Sequence, residues 1–168
     1  MPNPGQTTPT LSFDGQTFSL LQWHTHTPTS EHAIGGAFTA SEIHFVFGTG
    51  TTAQAVVGLF LNPGLPRAFY TDIYRQLDSS GERLPPPGST RNATNIRPNF
   101  SLLFNQDFFK DYWTYRGSLT LPACTEGFRW FVSGKIETLD PSQLLRLNAA
   151  SAFSVRALQR IQDQQVNV

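Results

Sequence analysis

The sequence predicts a mainly β domain, and three observations carry that prediction. Apolar residues alternate, or run unbroken, in short segments bounded by Gly, Pro and Asn. The clearest are Ser41-Glu42-Ile43-His44-Phe45-Val46, Ala55-Val56-Val57-Gly58-Leu59-Phe60-Leu61 and Phe128-Arg129-Trp130-Phe131-Val132. A helical period occurs in only two short stretches, residues 66–77 and 141–147. The length, 168 residues, suits one domain with a real core, and no internal repeat divides it.

Taken in order, residues 1–10 are polar and proline-rich and read as a loose tail. The domain is expected over residues 11–160, with a second tail at 161–168. Leu11-Ser12-Phe13 and Thr17-Phe18-Ser19-Leu20-Leu21 flank Asp14-Gly15, a hairpin-turn dipeptide, and the second run continues into a strand at 22–26. The connection Pro28-Thr29-Ser30-Glu31-His32, with Gly35-Gly36, brings the chain back along residues 41–46, so these two strands should pair antiparallel. Residues 53–61 are almost continuously apolar, as in a central strand buried on both faces, and Asn62-Pro63-Gly64 stops it.

Phe69, Ile73 and Leu77, spaced by four after Pro66, predict an amphipathic helix over 66–77. Residues 78–98, with three consecutive prolines, read as a surface crossover. Residues 100–104 and 112–119 look extended, and 128–132 is a strand. Asp140 as N-cap and Pro141 at the first helical position open a helix over 141–147.

Twelve basic residues balance twelve acidic ones, so nothing draws this chain to nucleic acid or an anionic membrane. No apolar run approaches a bilayer span, and Met1-Pro2-Asn3-Pro4-Gly5 lacks the basic and apolar parts of a signal peptide. The expectation is a soluble chain without a leader. Cys124 is the single cysteine and has no internal disulfide partner. Two acceptor sequons, Asn92-Ala93-Thr94 and Asn99-Phe100-Ser101, would matter only in a secreted protein, which leaves the compartment open.

The chemistry gathers on the histidines. Strand alternation puts Gln22, His24 and His26 on one face of their strand, and Glu42, His44 and Val46 on one face of the next. Three imidazoles then converge, which is the donor set of a catalytic zinc site with its fourth position open. A His-x-His pair alone is equally compatible with two hydrogen-bonded imidazoles. Gln22 and Glu42, each two residues ahead of a histidine on the same face, favour the metal, because ligating imidazoles give their other N–H to such groups.

The run QWHTHTPTSEH at 22–32, followed by SEIHFVF at 41–47, AVVGLFL at 55–61 and DYWTYRGSLTLPACTEG at 111–127, resembles the α-class carbonic anhydrases in order and spacing. The resemblance extends over residues 11–160. It implies a central twisted, largely antiparallel sheet with a few short peripheral helices. It also implies Zn2+ as cofactor on His24, His26 and His44, with Gln22 and Glu42 supporting the ligands. Carbon dioxide and bicarbonate would be the small-molecule substrates, interconverted with release of a proton by zinc-bound hydroxide. Thr120 matches the threonine that orients the hydroxide, and Glu31 the glutamate that takes that threonine's proton. Val46, Val56, Leu119 and Trp130 match the apolar wall against which carbon dioxide rests, and Leu121 stands on the pocket rim where many relatives have a second threonine.

Departures accompany the match. Ser154-x-Arg156-Ala157 is a weakened form of the family's Asn-x-Arg-Pro, and His32 falls at a structural position, which leaves no histidine as proton shuttle. Family members carry a substantial portion ahead of the histidine strand, including further strands and often a cysteine that pairs with the one matching Cys124. The chain is therefore expected to be an N-terminally truncated form. Two other readings stand beside the enzyme: a carbonic-anhydrase-related binding module that has lost catalysis, and a nonfunctional fragment. The retained histidines, Glu31 and Thr120 argue against the first, and only the missing portion supports the second.

Overall fold

The computed structural model describes residues 8–89, 91–92, 94–104, 110–151, 153, 155–159 and 166. Six strands, β1 (Thr10–Phe13), β2 (Gln16–His26), β3 (Ser41–Thr49), β4 (Thr52–Pro63), β5 (Tyr112–Gly117) and β6 (Phe128–Leu139), form one sheet. Their order is β1-β2-β3-β4-β6-β5. Every neighbouring pair is antiparallel except β4 and β6, which run parallel. The expected mainly β, largely antiparallel architecture is what forms.

A parallel pair needs a crossover, and the chain supplies one between β4 and β6 that carries α1 (Ala68–Ser80) and β5. Helix α1 begins two residues after Pro66 and runs three residues past the expected end, to Gly81, whose φ of 69° gives the left-handed C-cap that glycine favours. Helix α2 (Pro141–Ala150) follows β6 directly, with the Asp140 carboxylate accepting from Ser142 N–H as expected of an N-cap. No helix among the described residues is long and apolar enough to cross a membrane.

Alternation divides the sheet into two unlike faces. Ile43, Phe45 and Phe47 of β3 and Ala55, Val57, Leu59 and Leu61 of β4 pack with Phe69, Ile73 and Leu77 of α1 and Leu144 of α2 in the larger core. The opposite face carries Val46, Val56, Phe60, Phe128, Trp130 and Val132 in a smaller cluster, with His44 of β3 against Trp130. Trp23, next to His24 in sequence, packs on the larger core, stacked on Phe45 and edge-on to Phe69 and Phe100.

One irregularity decides which face the histidines take. Phe18 and Leu20 of β2 belong to the larger core, yet His24 and His26, also even-numbered, lie on the other face. A bulge between Leu20 and Gln22 inserts Leu21 without a partner and reverses the alternation. Gly48 lies beside it, where a Cβ would stand 2.8 Å from Leu21 Cδ1 and 2.0 Å from Thr52 O. A side chain at residue 48 would meet the backbone there.

Two expectations change. Residues 100–104 are not extended: Phe100–Leu102 form a 3-10 turn, because Asn99 Oδ1 accepts from both Ser101 N–H and Ser101 Oγ–H and closes a local turn. The ordered sheet also reaches into the segment expected to be a tail, since β1 begins at Thr10 and Leu20 N–H donates to Pro9 O. Residues 1–7 of that tail, and 161–165 and 167–168 of the other, lie outside the described residues.

Candidate metal centre

Strands β2 and β3 bring three imidazoles together. His24 and His44 are direct partners across the ladder, with His26 opposite Glu42. Ring centroids lie 5.0 Å apart for His24 and His26, 5.3 Å for His24 and His44 and 4.5 Å for His26 and His44. One ligating nitrogen from each falls within 4.8 Å of the others, so the three could share one metal ion. His26 and His44 are buried, and His24 is partly exposed. Burial, reinforced by the neighbouring His44 and His26, pulls the His24 imidazole down to about 3, which keeps it neutral, the form that ligates.

Hydrogen bonds fix which nitrogen each ring presents. His24 Nδ1–H donates to Gln22 Oε1 at 2.9 Å, leaving Nε2 as the lone-pair nitrogen. His44 Nε2–H donates to Glu42 Oε1 at 2.9 Å, leaving Nδ1. Both partners anticipated from sequence spacing are therefore in contact with their histidines.

Glu42 is the hub of the site. Its side chain is fully buried, and its four contacts are all donors: Oε2 takes Glu31 N–H at 2.9 Å and His32 N–H at 2.8 Å, while Oε1 takes His44 Nε2–H and also His32 Nδ1–H at 2.6 Å. Burial by itself would raise this carboxyl. The facing His44 and His32 rings, and the hydrogen bonds they donate, override it and hold Glu42 well below the usual carboxylate range. Gly58 sits opposite His44 in β4, where a Cβ would lie 2.7 Å from Glu42 Oε1. Glycine at 58 makes the room that the carboxylate fills.

The network continues into Tyr115, which sequence reasoning did not single out. His32 Nε2 accepts from the Tyr115 hydroxyl at 2.6 Å, and Tyr115 stacks on Trp130, with centroids 6.1 Å apart and planes 6° from parallel. Burial raises the Tyr115 phenol, with Glu42 and Glu31 adding to the rise, so it stays a donor. The signal for Tyr115 was its place two residues before Gly117, whose missing side chain leaves space for the Tyr115 and Trp130 rings; a Cβ there would lie 2.7 Å from the tyrosine ring.

Glu31 is buried and braced by Arg156 N–H, which donates to Oε1 at 3.0 Å, while Oε2 has no hydrogen-bond partner among the described residues and lies 3.4 Å from His26 Nε2. Thr120 sits in the turn after β5, partly buried, and among the described residues no hydrogen bond joins it to Glu31. That turn is held by Trp130 Nε1–H donating to Ser118 O at 3.1 Å, Arg156 donating to Ser118 Oγ at 3.1 Å, and Leu119 N–H donating to Thr125 O at 2.9 Å. Val46, Val56, Leu119 and Trp130 share the smaller apolar cluster, with the Trp130 ring 4.9 Å from His44. Leu121 is not part of it and is 63% exposed. Ser154 lies outside the described residues.

The chain has relatives among known proteins. The profile of the eukaryotic-type carbonic anhydrase family matches residues 5–166. "Alpha carbonic anhydrase 8" of Arabidopsis thaliana is 33% identical over 93% of this chain and 39% of its own length, and a "Carbonic anhydrase" of Pectobacterium carotovorum is 29% identical over 88% and 55%. The chain thus spans about half the length of the curated relatives it matches. Among solved structures, the Photobacterium profundum alpha-carbonic anhydrase superposes with a TM-score of 0.78 at 30% identity, covering 96% of this chain and 70% of that one. With its histidine-bearing antiparallel strands and matching profile, the chain belongs to the eukaryotic-type, or α-class, carbonic anhydrase family.

Proposed function

We propose that this chain binds zinc through His24, His26 and His44 and catalyses the reversible hydration of carbon dioxide to bicarbonate and a proton. The observation that carries the proposal is the convergence of three imidazoles, two of them with the proton already placed on the nitrogen turned away from the centre. That donor set fits zinc, whose catalytic sites take three protein ligands and leave a fourth position open. When bound, zinc supplies a Lewis acid that brings the pKa of a coordinated water near 7.

The chain's own groups do the rest. Gln22 and Glu42 hold the rings of His24 and His44 in the ligating tautomer. Glu31 Oε2 is a buried carboxylate oxygen without a hydrogen-bond partner among the described residues, an acceptor suited to the Thr120 hydroxyl. Once Thr120 donates there, its oxygen is left as acceptor only, and it can orient a reacting O–H by taking that proton in a hydrogen bond. Val46, Val56, Leu119 and Trp130 offer an apolar wall for a small nonpolar substrate, and Leu121 extends the rim.

The test is metal content and turnover together. Purified protein should contain one zinc and hydrate carbon dioxide in stopped-flow assays, and His44→Ala should lose both, because two nitrogen donors make a poor site. Full zinc occupancy in His44→Ala would refute the assignment.

A further inference from the structure

The zinc reading gives α2 no part in the site, yet its last turn reaches the chain beside a ligand. Thr27, which follows His26 directly, is fully buried, and its hydroxyl donates to Asn148 Oδ1 across 121 residues of sequence. Ser41, equally buried in β3, donates its Oγ–H to His26 O at 2.7 Å. His26 is therefore gripped at its carbonyl from β3 and at the next residue from α2.

Helix α2 is itself a fixed point. Its N-terminus is capped by Asp140 at the end of β6, Leu144 is in the larger core, and the Tyr74 hydroxyl donates to Gln143 O at 2.9 Å. Arg146 makes two hydrogen bonds to Asp78 of α1 and lies over the Tyr74 ring. Asparagine is a poor helix former because its amide competes with the backbone. Within α2, Asn148 spends that amide on Thr27.

We propose that Asn148 is a positioning residue for the metal centre: by accepting the Thr27 hydroxyl it sets where the His26 imidazole stands. The inference rests on the zinc reading above. Residues that orient ligands from behind are worth tenfold to a hundredfold in metal affinity. Asn148 belongs with them, although it lies on a different element from every ligand.

The experiment uses the full chain, with zinc affinity measured by chelator competition and cobalt(II) as a spectroscopic stand-in whose visible bands report ligand geometry. Asn148→Leu, which keeps the size and removes the acceptor, should weaken zinc by at least tenfold and shift the cobalt spectrum. Asn148→Asp keeps the oxygen and should restore both. Thr27→Val should match Asn148→Leu, and the double variant should be no worse than either. Tyr74→Phe removes the hydrogen bond to Gln143 O, one of the other contacts of α2, and should leave metal binding unchanged. If Asn148→Leu does not fold, Thr27→Val against Thr27→Ser decides the same question.

Wild-type affinity and spectrum in Asn148→Leu or Thr27→Val would overturn the proposal alone, as would Tyr74→Phe weakening zinc to the same degree. A wild-type chain that takes up no metal would overturn the zinc reading and this inference with it.

Discussion

Replacing Gly58 with alanine tests the Glu42 hub without replacing any residue of the site. In an ordinary strand glycine to alanine is stabilising by roughly 0.5–1 kcal/mol. Here the new Cβ would stand 2.7 Å from Glu42 Oε1, where normal contact begins near 3.4 Å, so the carboxylate must withdraw by about 0.7 Å. The 2.9 Å bond from His44 Nε2 then opens to about 3.6 Å and ceases to be a hydrogen bond. A hydrogen bond to a charged group is worth about 1.5–3 kcal/mol, and a fully buried carboxylate has no water to replace it. We expect a loss of about 3 kcal/mol, or roughly 6–12 °C in the melting of metal-free protein. Zinc affinity should fall tenfold or more as His44 loses its orienting partner. Thermal melts and chelator competition read the two effects. Adding Glu42→Ala should abolish the penalty of the alanine at 58, since no carboxylate is left to displace. A Gly58→Ala protein as stable and as zinc-avid as wild type, or one equally impaired in the Glu42→Ala background, would refute the reasoning.

Thr120→Ala should retain zinc while turnover drops about a hundredfold, the scale for one lost hydrogen bond at a reacting centre; undiminished turnover would remove Thr120 from the mechanism. His24, depressed from 6.5 to about 3, is neutral in the folded state while the unfolded chain takes up its proton, so metal-free stability should be full above pH 6.5 and decline as pH falls toward 3. Denaturant midpoints across that window should show a shallower decline in His24→Gln, and an identical slope would count against the shift. Finally, three histidines are committed to zinc in the proposed function, and both ring nitrogens of His32 are engaged, by Glu42 and Tyr115. Proton export should therefore depend on added imidazole-type buffer, and a fast buffer-independent rate would show that another group carries the proton.

The histidine strands were legible because alternation is a local rule: Gln22, His24 and His26 share a face by spacing alone, and so do Glu42 and His44. The reversal at Leu21 was not, since Leu20-Leu21-Gln22 contains no turn residue, and the unpaired residue shows itself only against Phe47 and Val46 of the partner strand. Helix α2 could be read from Asp140-Pro141 because a cap is a short-range signal. Residues 100–104 misled because their apolar content suggested a strand, whereas the Asn99 side chain bends the backbone. The roles of Thr120, Glu31 and the apolar wall came from family resemblance. Tyr115 and Asn148 came from neither source, because their partners lie far away in sequence.

That last contrast sets an order of assembly. The contacts that orient the imidazoles of His24 and His44 span two residues each, and His32 reaches Glu42 across ten. The braces on the same centre close loops of 83 residues to Tyr115, 121 to Asn148 and 125 to Arg156. Closing a loop of the longer kind costs about 2 kcal/mol more chain entropy than closing one of ten residues. The β2–β3 hairpin can thus gather the three imidazoles proposed to bind zinc while the rest of the chain is still searching. A metal ion captured at that stage would bias the early hairpin, and the distant braces would arrive afterwards on ligands already gathered.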